Sequence, residues 1–142
     1  MAHYPAQTEP PLPGQFRNGQ HTDFTGFTIL RQDSAPGGLQ VLSSENEWVD
    51  VTTVPGTLVI NSGDLLQRWT NDRWRSNLHR VNNPDRMLTG SAERLSIVMF
   101  TGPNPDAVVE CLPTCAGSSN PPRYGCVTAR DYLTMKIRET FA

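Results

Sequence analysis

At 142 residues the chain suits one domain, long enough to bury roughly 70% of its unfolded surface. A formal net charge of −2, with the basic residues scattered, argues against a nucleic-acid or membrane-binding surface, and no apolar run approaches a membrane span. Hydrophobic residues make up 37%, with 12 prolines and 11 glycines, a balance that favours short strands and many turns over a helix bundle.

In chain order, the opening Met1-Ala2-His3-Tyr4-Pro5 lacks the charged and apolar regions of a secretory leader, so a cytoplasmic protein is expected. Residues 4–19 hold Pro5, Pro10, Pro11 and Pro13, then Gly14 and Gly19, and read as an irregular lead-in. Residues 20–23 and 25–32 are rich in β-branched and aromatic side chains and read as strands. A turn over Ser34-Ala35-Pro36-Gly37-Gly38 precedes a strand at 39–42, and Ser43-Ser44-Glu45-Asn46 turns into another at 47–51. The apolar run 57–60 reads as a buried strand entering a tight turn at Asn61-Ser62-Gly63-Asp64. Residues 65–70 fit strand or helix equally. Asn71-Asp72 is a plausible hairpin tip before a strand over 74–81.

Residues 82–91 read as a polar loop, and 93–100 as the last strong strand, with a short addition at 108–110. Residues 112–125 are loop. Thr128-x-x-Asp131 has the form of a capping box, and Leu133, Ile137 and Phe141 recur four apart as the apolar face of a C-terminal helix. Seven or eight short strands indicate an all-β sandwich or jelly roll. The single domain 1–142 thus divides into a lead-in (1–19), a strand-rich core (20–110) and a loop with C-terminal helix (111–142). Cys111, Cys115 and Cys126, an odd number without a secretion leader, are expected as free thiols.

Two stretches carry chemistry. Side chains two apart on a strand share a face, so His21 and Asp23 project together while Thr22 turns away. With His79 as a remote third donor they would form a two-histidine, one-carboxylate facial triad with open positions, the arrangement of non-haem Fe(II) oxygenases. Taken singly, each histidine reads as an ordinary surface residue. On the 93–100 strand, Arg94, Ser96 and Val98 share one face, and Leu95, Ile97 and Met99 the other, which is the expected core face. An arginine on such a strand needs a partner. That partner is either an internal acid or a bound carboxylate, which the guanidinium fork matches and Ser96 can supplement.

These residues resemble, in order, the signatures of the C-terminal catalytic portion of the isopenicillin N synthase-like Fe(II)/2-oxoglutarate-dependent dioxygenases: His21-Thr22-Asp23, His79-Arg80-Val81 and Arg94-Leu95-Ser96. Supporting matches are Thr28-Ile29-Leu30-Arg31-Gln32-Asp33, Gly38-Leu39-Gln40-Val41, Asn61-Ser62-Gly63-Asp64, Trp69-Thr70-Asn71-Asp72 with Arg75-Ser76, and Asn104-Pro105-Asp106-Ala107. The resemblance implies an all-β double-stranded β-helix (jelly roll) core with a C-terminal α-helix. It implies Fe(II) held by His21, Asp23 and His79. Arg94 and Ser96, aided by Tyr4, would hold the distal carboxylate of 2-oxoglutarate; the family's asparagine near that tyrosine falls at Ala2. The implied activity is oxidation of a small organic substrate with O2, releasing succinate and CO2, with no catalytic residue beyond the metal ligands.

Alternatives are an isopenicillin N synthase-like oxidase that does not use 2-oxoglutarate, and a non-catalytic jelly-roll binding module. The resemblance implies an N-terminal region ahead of Tyr4 in family members, and that region is expected to be absent here. A partner chain or such a segment is therefore expected over an exposed sheet face, with neither nucleic acid nor membrane as a partner.

Overall fold

The computed structural model describes residues 1–7, 9, 11–35, 38–83 and 93–141, with the Phe141 side chain excepted. The chain forms β1 (Ala2–Tyr4), β2 (Asn18–His21), β3 (Phe27–Gln32), β4 (Leu39–Leu42), β5 (Trp48–Asp50), β6 (Val59–Ser62), α1 (Asp64–Trp69), β7 (His79–Val81), β8 (Arg94–Thr101), β9 (Val108–Val109), β10 (Val127–Thr128) and α2 (Ala129–Phe141). The strands form sheets of order β1-β8-β3-β6 and β2-β7-β4-β5, with a separate β9-β10 pair. The expected all-β class with a C-terminal helix is what the structure has. Among the described residues no helix is long and apolar enough to cross a membrane, and all three cysteines are free.

Two compact units are formed from discontinuous stretches. The first comprises Met1–His21, Ile29–Val59 and Asn77–Met99 and contains the whole β2-β7-β4-β5 sheet. There the β4–β5 hairpin pairs Gln40 with Asp50, Val41 with Val49 and Leu42 with Trp48. Its turn closes through the Ser43 N–H to the Glu47 carbonyl at 2.8 Å, while the Ser43 hydroxyl accepts from the N–H groups of Glu45 and Glu47. Asn46 takes the left-handed conformation, φ 61°, which asparagine tolerates better than most residues. β7 lies antiparallel to both β4 and β2, pairing Val41 with His79 and His79 with His21. Gly38 is required beside it: φ is +117°, and a Cβ there would lie 2.7 Å from the Asn82 carbonyl.

The second unit comprises Thr22–Thr28, Ile60–Ser76 and Phe100–Ala142. Leu65, Val109, Ala129 and Tyr132 form its buried cluster, with Trp69 and Val127 packed against it. The stretch that fitted strand or helix is α1, with Asp64 in its first turn and Arg68 in its last, each the favourable charge for the helix dipole. Asn71 and Asp72, both at positive φ, close that helix and do not tip a hairpin. The buried Asn71 amide then pins the loop-rich tail, accepting from the Arg123 N–H at 2.9 Å and donating to the Pro121 carbonyl at 3.1 Å. Thr128 caps α2 as the box predicts: its hydroxyl accepts from the Asp131 N–H at 3.1 Å and donates to the Asp131 carboxylate at 2.7 Å.

Several expectations are corrected. The lead-in begins with a strand, β1, because Ala2–Tyr4 has an edge to pair with on β8. Only His79–Val81 of the 74–81 stretch is strand. The strand expected at 57–60 is displaced to Val59–Ser62 and is not buried, Leu58 and Ile60 being exposed. On α2 the helix buries Ala129 and Tyr132, and Ile137 is exposed, since Tyr132 can satisfy its hydroxyl on Asp64 at 3.0 Å while buried. Residues 36 and 37 of the expected turn at 34–38, residues 84–91 of the expected loop at 82–91 and the Phe141 side chain lie outside the described residues.

The largest correction is on β8. The expected core face is outward: Leu95, Ile97 and Met99 are 38%, 48% and 60% exposed, whereas Arg94 and Ser96 are 2% and 4% exposed. Alternation set the two faces correctly and says nothing of which one is covered.

Loss of the α2 cap is expected to cost about 1 kcal/mol in the Thr128→Ala variant. Urea denaturation read by circular dichroism checks this, with the exposed mid-helix Thr134→Ala variant, expected to stay within about 0.5 kcal/mol of wild type, as control.

Candidate metal centre

Register brings the two histidines together. His21 ends β2 and His79 begins β7, and they are direct cross-strand partners with a bulge between Asn18 and His21. Their ring centroids are 4.3 Å apart with a 55° tilt. Each imidazole is held the same way: Nδ1 of His21 lies 2.8 Å from the Gly19 carbonyl and Nδ1 of His79 lies 2.9 Å from the Asn77 carbonyl. A carbonyl oxygen only accepts, so Nδ1 is the donor in each bond and Nε2 is the candidate ligand nitrogen. A metal-binding histidine is commonly oriented by this kind of outer hydrogen bond.

Asp23 follows His21 by two residues and is buried. Its Oδ2 accepts from the Thr28 hydroxyl at 2.5 Å and from Asn61 Nδ2 at 2.7 Å. The backbone around it is clamped at the start of α1: the Asp64 N–H donates to the Asp23 carbonyl at 2.8 Å, the Leu65 N–H to Thr25 at 3.2 Å, and the Gly63 N–H to Gly26 at 2.6 Å. Gly63 is obligatory in this clamp, because a Cβ would fall 2.3 Å from the Thr25 carbonyl and 2.9 Å from that of Asp23. The candidate ligand atoms of His21, Asp23 and His79 all lie within 4.8 Å of one another. Two imidazoles and one buried carboxylate form a donor set suited to Fe(II).

In the first unit, β1 pairs antiparallel with β8 so that Tyr4 lies opposite Arg94 and Ala2 opposite Ser96. Directly opposed residues project to one face, which puts the phenol beside the guanidinium and a bare methyl beside the serine. Arg94 Nε donates to Ser96 Oγ at 3.4 Å, and Nη2 donates to Gln32 Oε1. Burial draws the Arg94 pKa below the ordinary arginine value; the charges of Asp33 and Tyr4 oppose that shift and Arg17 adds to it. A second cation, Arg17, lies over the Tyr4 ring, 5.8 Å from its centroid. Two guanidiniums and a phenol around a buried polar face make a surface suited to an anion.

Sequence reasoning named the three candidate ligands and Arg94, Ser96 and Tyr4. It did not find what orients them: the Gly19 and Asn77 carbonyls, Thr28, Asn61 and Gln32. The motifs holding Thr28, Asn61 and Gln32 stood out, and strand alternation from Thr28 to Gln32 was the available cue to a shared inward face.

Comparison with known proteins gives a concordant result. Residues 1–103 match the sequence model described as 2OG-Fe(II) oxygenase superfamily. The chain is 40% identical over 143 aligned positions to the 2-oxoglutarate-Fe(II) type oxidoreductase hxnY of Emericella nidulans, covering 99% of this chain and 39% of that protein. It is 37% identical to deacetoxyvindoline 4-hydroxylase of Catharanthus roseus, covering 98% of this chain and 34% of the relative. Among solved structures, a full-length Neurospora crassa protein in complex with alpha-KG superposes with a TM-score of 0.88 at 38% identity, covering 96% of this chain and 42% of that one. The chain therefore spans about two fifths of the length of such relatives. These neighbours are oxygenases of jelly-roll fold, and the expected fold class stands.

Taking one donor from Asp23, by Thr28→Val or Asn61→Leu, is expected to weaken divalent-metal affinity about ten- to hundredfold. Calorimetric titration with Mn(II) measures this, and affinity within twofold of wild type in both variants would remove the orienting role. Gly63→Ala should lower metal affinity at least as far, since it displaces the Asp23 backbone.

Proposed function

The chain belongs to the 2OG-Fe(II) oxygenase superfamily, and on that premise we propose that the protein oxidises a small organic substrate with O2, using Fe(II) and 2-oxoglutarate. The observation that carries this reading is the convergence of His21, Asp23 and His79, each with one ring nitrogen or oxygen already engaged by the protein. These three would hold the iron. Arg94 and Ser96, with Tyr4 opposite, would hold the distal carboxylate of 2-oxoglutarate.

When bound, iron and cosubstrate supply the oxidation, in which O2 is consumed, 2-oxoglutarate leaves as succinate and CO2, and a substrate C–H bond is oxidised. The protein's own residues bind, orient and shield. The carbonyls of Gly19 and Asn77 orient both imidazoles through Nδ1. Thr28 and Asn61 hold the Asp23 carboxylate turned by donating to its Oδ2. Arg94 offers a buried, desolvated charge, the setting in which pairing with an incoming carboxylate contributes most. No side chain in this set has to act as acid or base, so the chemistry rests on the bound groups and the protein on positioning.

The outward apolar row on β8, Leu95, Ile97 and Met99, supports a further element of the proposal. In the working protein a partner chain or additional polypeptide covers this face, because contiguous exposed apolar surface marks an interaction site. Three free cysteines fit a reducing compartment, and a cytoplasmic location is part of the reading.

Arg94→Ala is expected to weaken 2-oxoglutarate binding about a hundredfold, roughly 3 kcal/mol, with metal affinity retained. Equilibrium binding to the Mn(II)-loaded protein tests it, and undiminished affinity would refute the assignment of that face to the cosubstrate.

A further inference from the structure

Gln32 ends β3, and alternation puts it on the same face as Leu30 and Thr28. Thr28 is buried and donates to Asp23, so this face of β3 is the inward one. The far end of the face is tied to the start of β8 by two further bonds. The Asp33 N–H donates to the Leu95 carbonyl at 3.2 Å, and the Leu95 N–H donates to Asp33 Oδ2 at 2.5 Å. Gln32 is thereby held beside the Arg94–Ser96 segment.

The orientation of the Gln32 carboxamide follows from its partner. Oε1 accepts from Arg94 Nη2; a guanidinium only donates, so the oxygen must face it and Nε2 must point elsewhere. Nε2 is buried and has no hydrogen-bond acceptor. A buried donor left unmatched is costly, and native structures keep few of them without a purpose. Here the unmatched donor sits on the residue that touches the arginine assigned to a carboxylate, on a face with Ser96, Tyr4 and Arg17 close by.

Resting on the cosubstrate reading above, we propose that Gln32 is a second recognition group for the distal carboxylate of 2-oxoglutarate: its Oε1 positions Arg94 and its Nε2 donates to the ligand's oxygen. The bound carboxylate supplies the acceptor that Nε2 lacks. Selectivity follows, because a 2-oxo acid without the distal carboxylate leaves the Gln32 Nε2 donor unmatched, and a site built to hydrogen-bond a group rejects the analogue lacking it.

The test is anaerobic calorimetry on the Mn(II)-loaded protein with 2-oxoglutarate, and with 2-oxobutyrate as the analogue lacking the distal carboxylate. Gln32→Met removes both contacts. Gln32→Glu keeps an acceptor for Arg94 and replaces the Nε2 donor by an oxygen. Both variants are expected to lose at least tenfold in 2-oxoglutarate affinity, while Mn(II) and 2-oxobutyrate affinities stay within twofold of wild type. Wild-type 2-oxoglutarate affinity in Gln32→Glu would overturn the donor role and leave only positioning of Arg94; wild-type affinity in Gln32→Met would overturn both. An equal loss for 2-oxobutyrate would also overturn the proposal, since it would mean general damage to the site. Arg94→Ala, run alongside, separates the two levels: if it binds 2-oxoglutarate as wild type does, the cosubstrate reading itself fails.

Discussion

The structure depends on a constraint on three donors: each must present one atom to a common point while its other polar atoms are held by the protein. For the histidines that hold is a Nδ1–H bond to the carbonyl two residues earlier, Gly19 for His21 and Asn77 for His79. For Asp23 it is the pair Thr28 and Asn61. The first bonds come from local strand geometry, and the second from β3 and β6 having settled. Gly63 and the first N–H groups of α1 then lock the backbone that carries Asp23. A donor set fixed in this way has little side-chain entropy left to lose when a metal binds.

The polarity of β8 is the second constraint and has the opposite look of an ordinary strand. Its buried face is charged and hydroxylic and its exposed face is apolar. Burying a guanidinium is expensive unless it is matched, and Arg94 is matched in part by Gln32, by Ser96 and by the charge of Asp33. The outer row is Leu95, Ile97 and Met99.

How much of this was legible in the sequence depends on whether the deciding physics was local. Period two placed Arg94 with Ser96, because pleating alone settles it, whereas the strand expected over 20–23 ends at His21 and Asp23 is set by Thr28 and Asn61. The β4–β5 hairpin and the Thr128–Asp131 cap were readable for the same reason: turn and cap chemistry act within a few residues. What failed was every judgement about which face is covered. Leu95, Ile97 and Met99 looked like core, as did Ile137 on α2, because hydrophobicity was read as burial, whereas all four are exposed. Tyr132 won the buried side of α2 through Asp64, 68 residues away. Thr28, Asn61 and Gln32 were hidden for the same reason, since their meaning comes from residues distant in the chain. The resemblance to a known family supplied the roles that pattern alone left open, including that of Tyr4, which the pairing of β1 with β8 then sets opposite Arg94.

The central claim is that one point in this protein takes a metal and, beside it, a 2-oxo acid. Anaerobic titration of the protein with Fe(II) and 2-oxoglutarate, followed by visible absorption, tests it most directly. The account predicts a metal-to-ligand charge-transfer band that appears only when both are present and saturates at one iron and one 2-oxoglutarate per chain. Tight iron binding with no such band at saturating 2-oxoglutarate, or no iron binding at all, would contradict it.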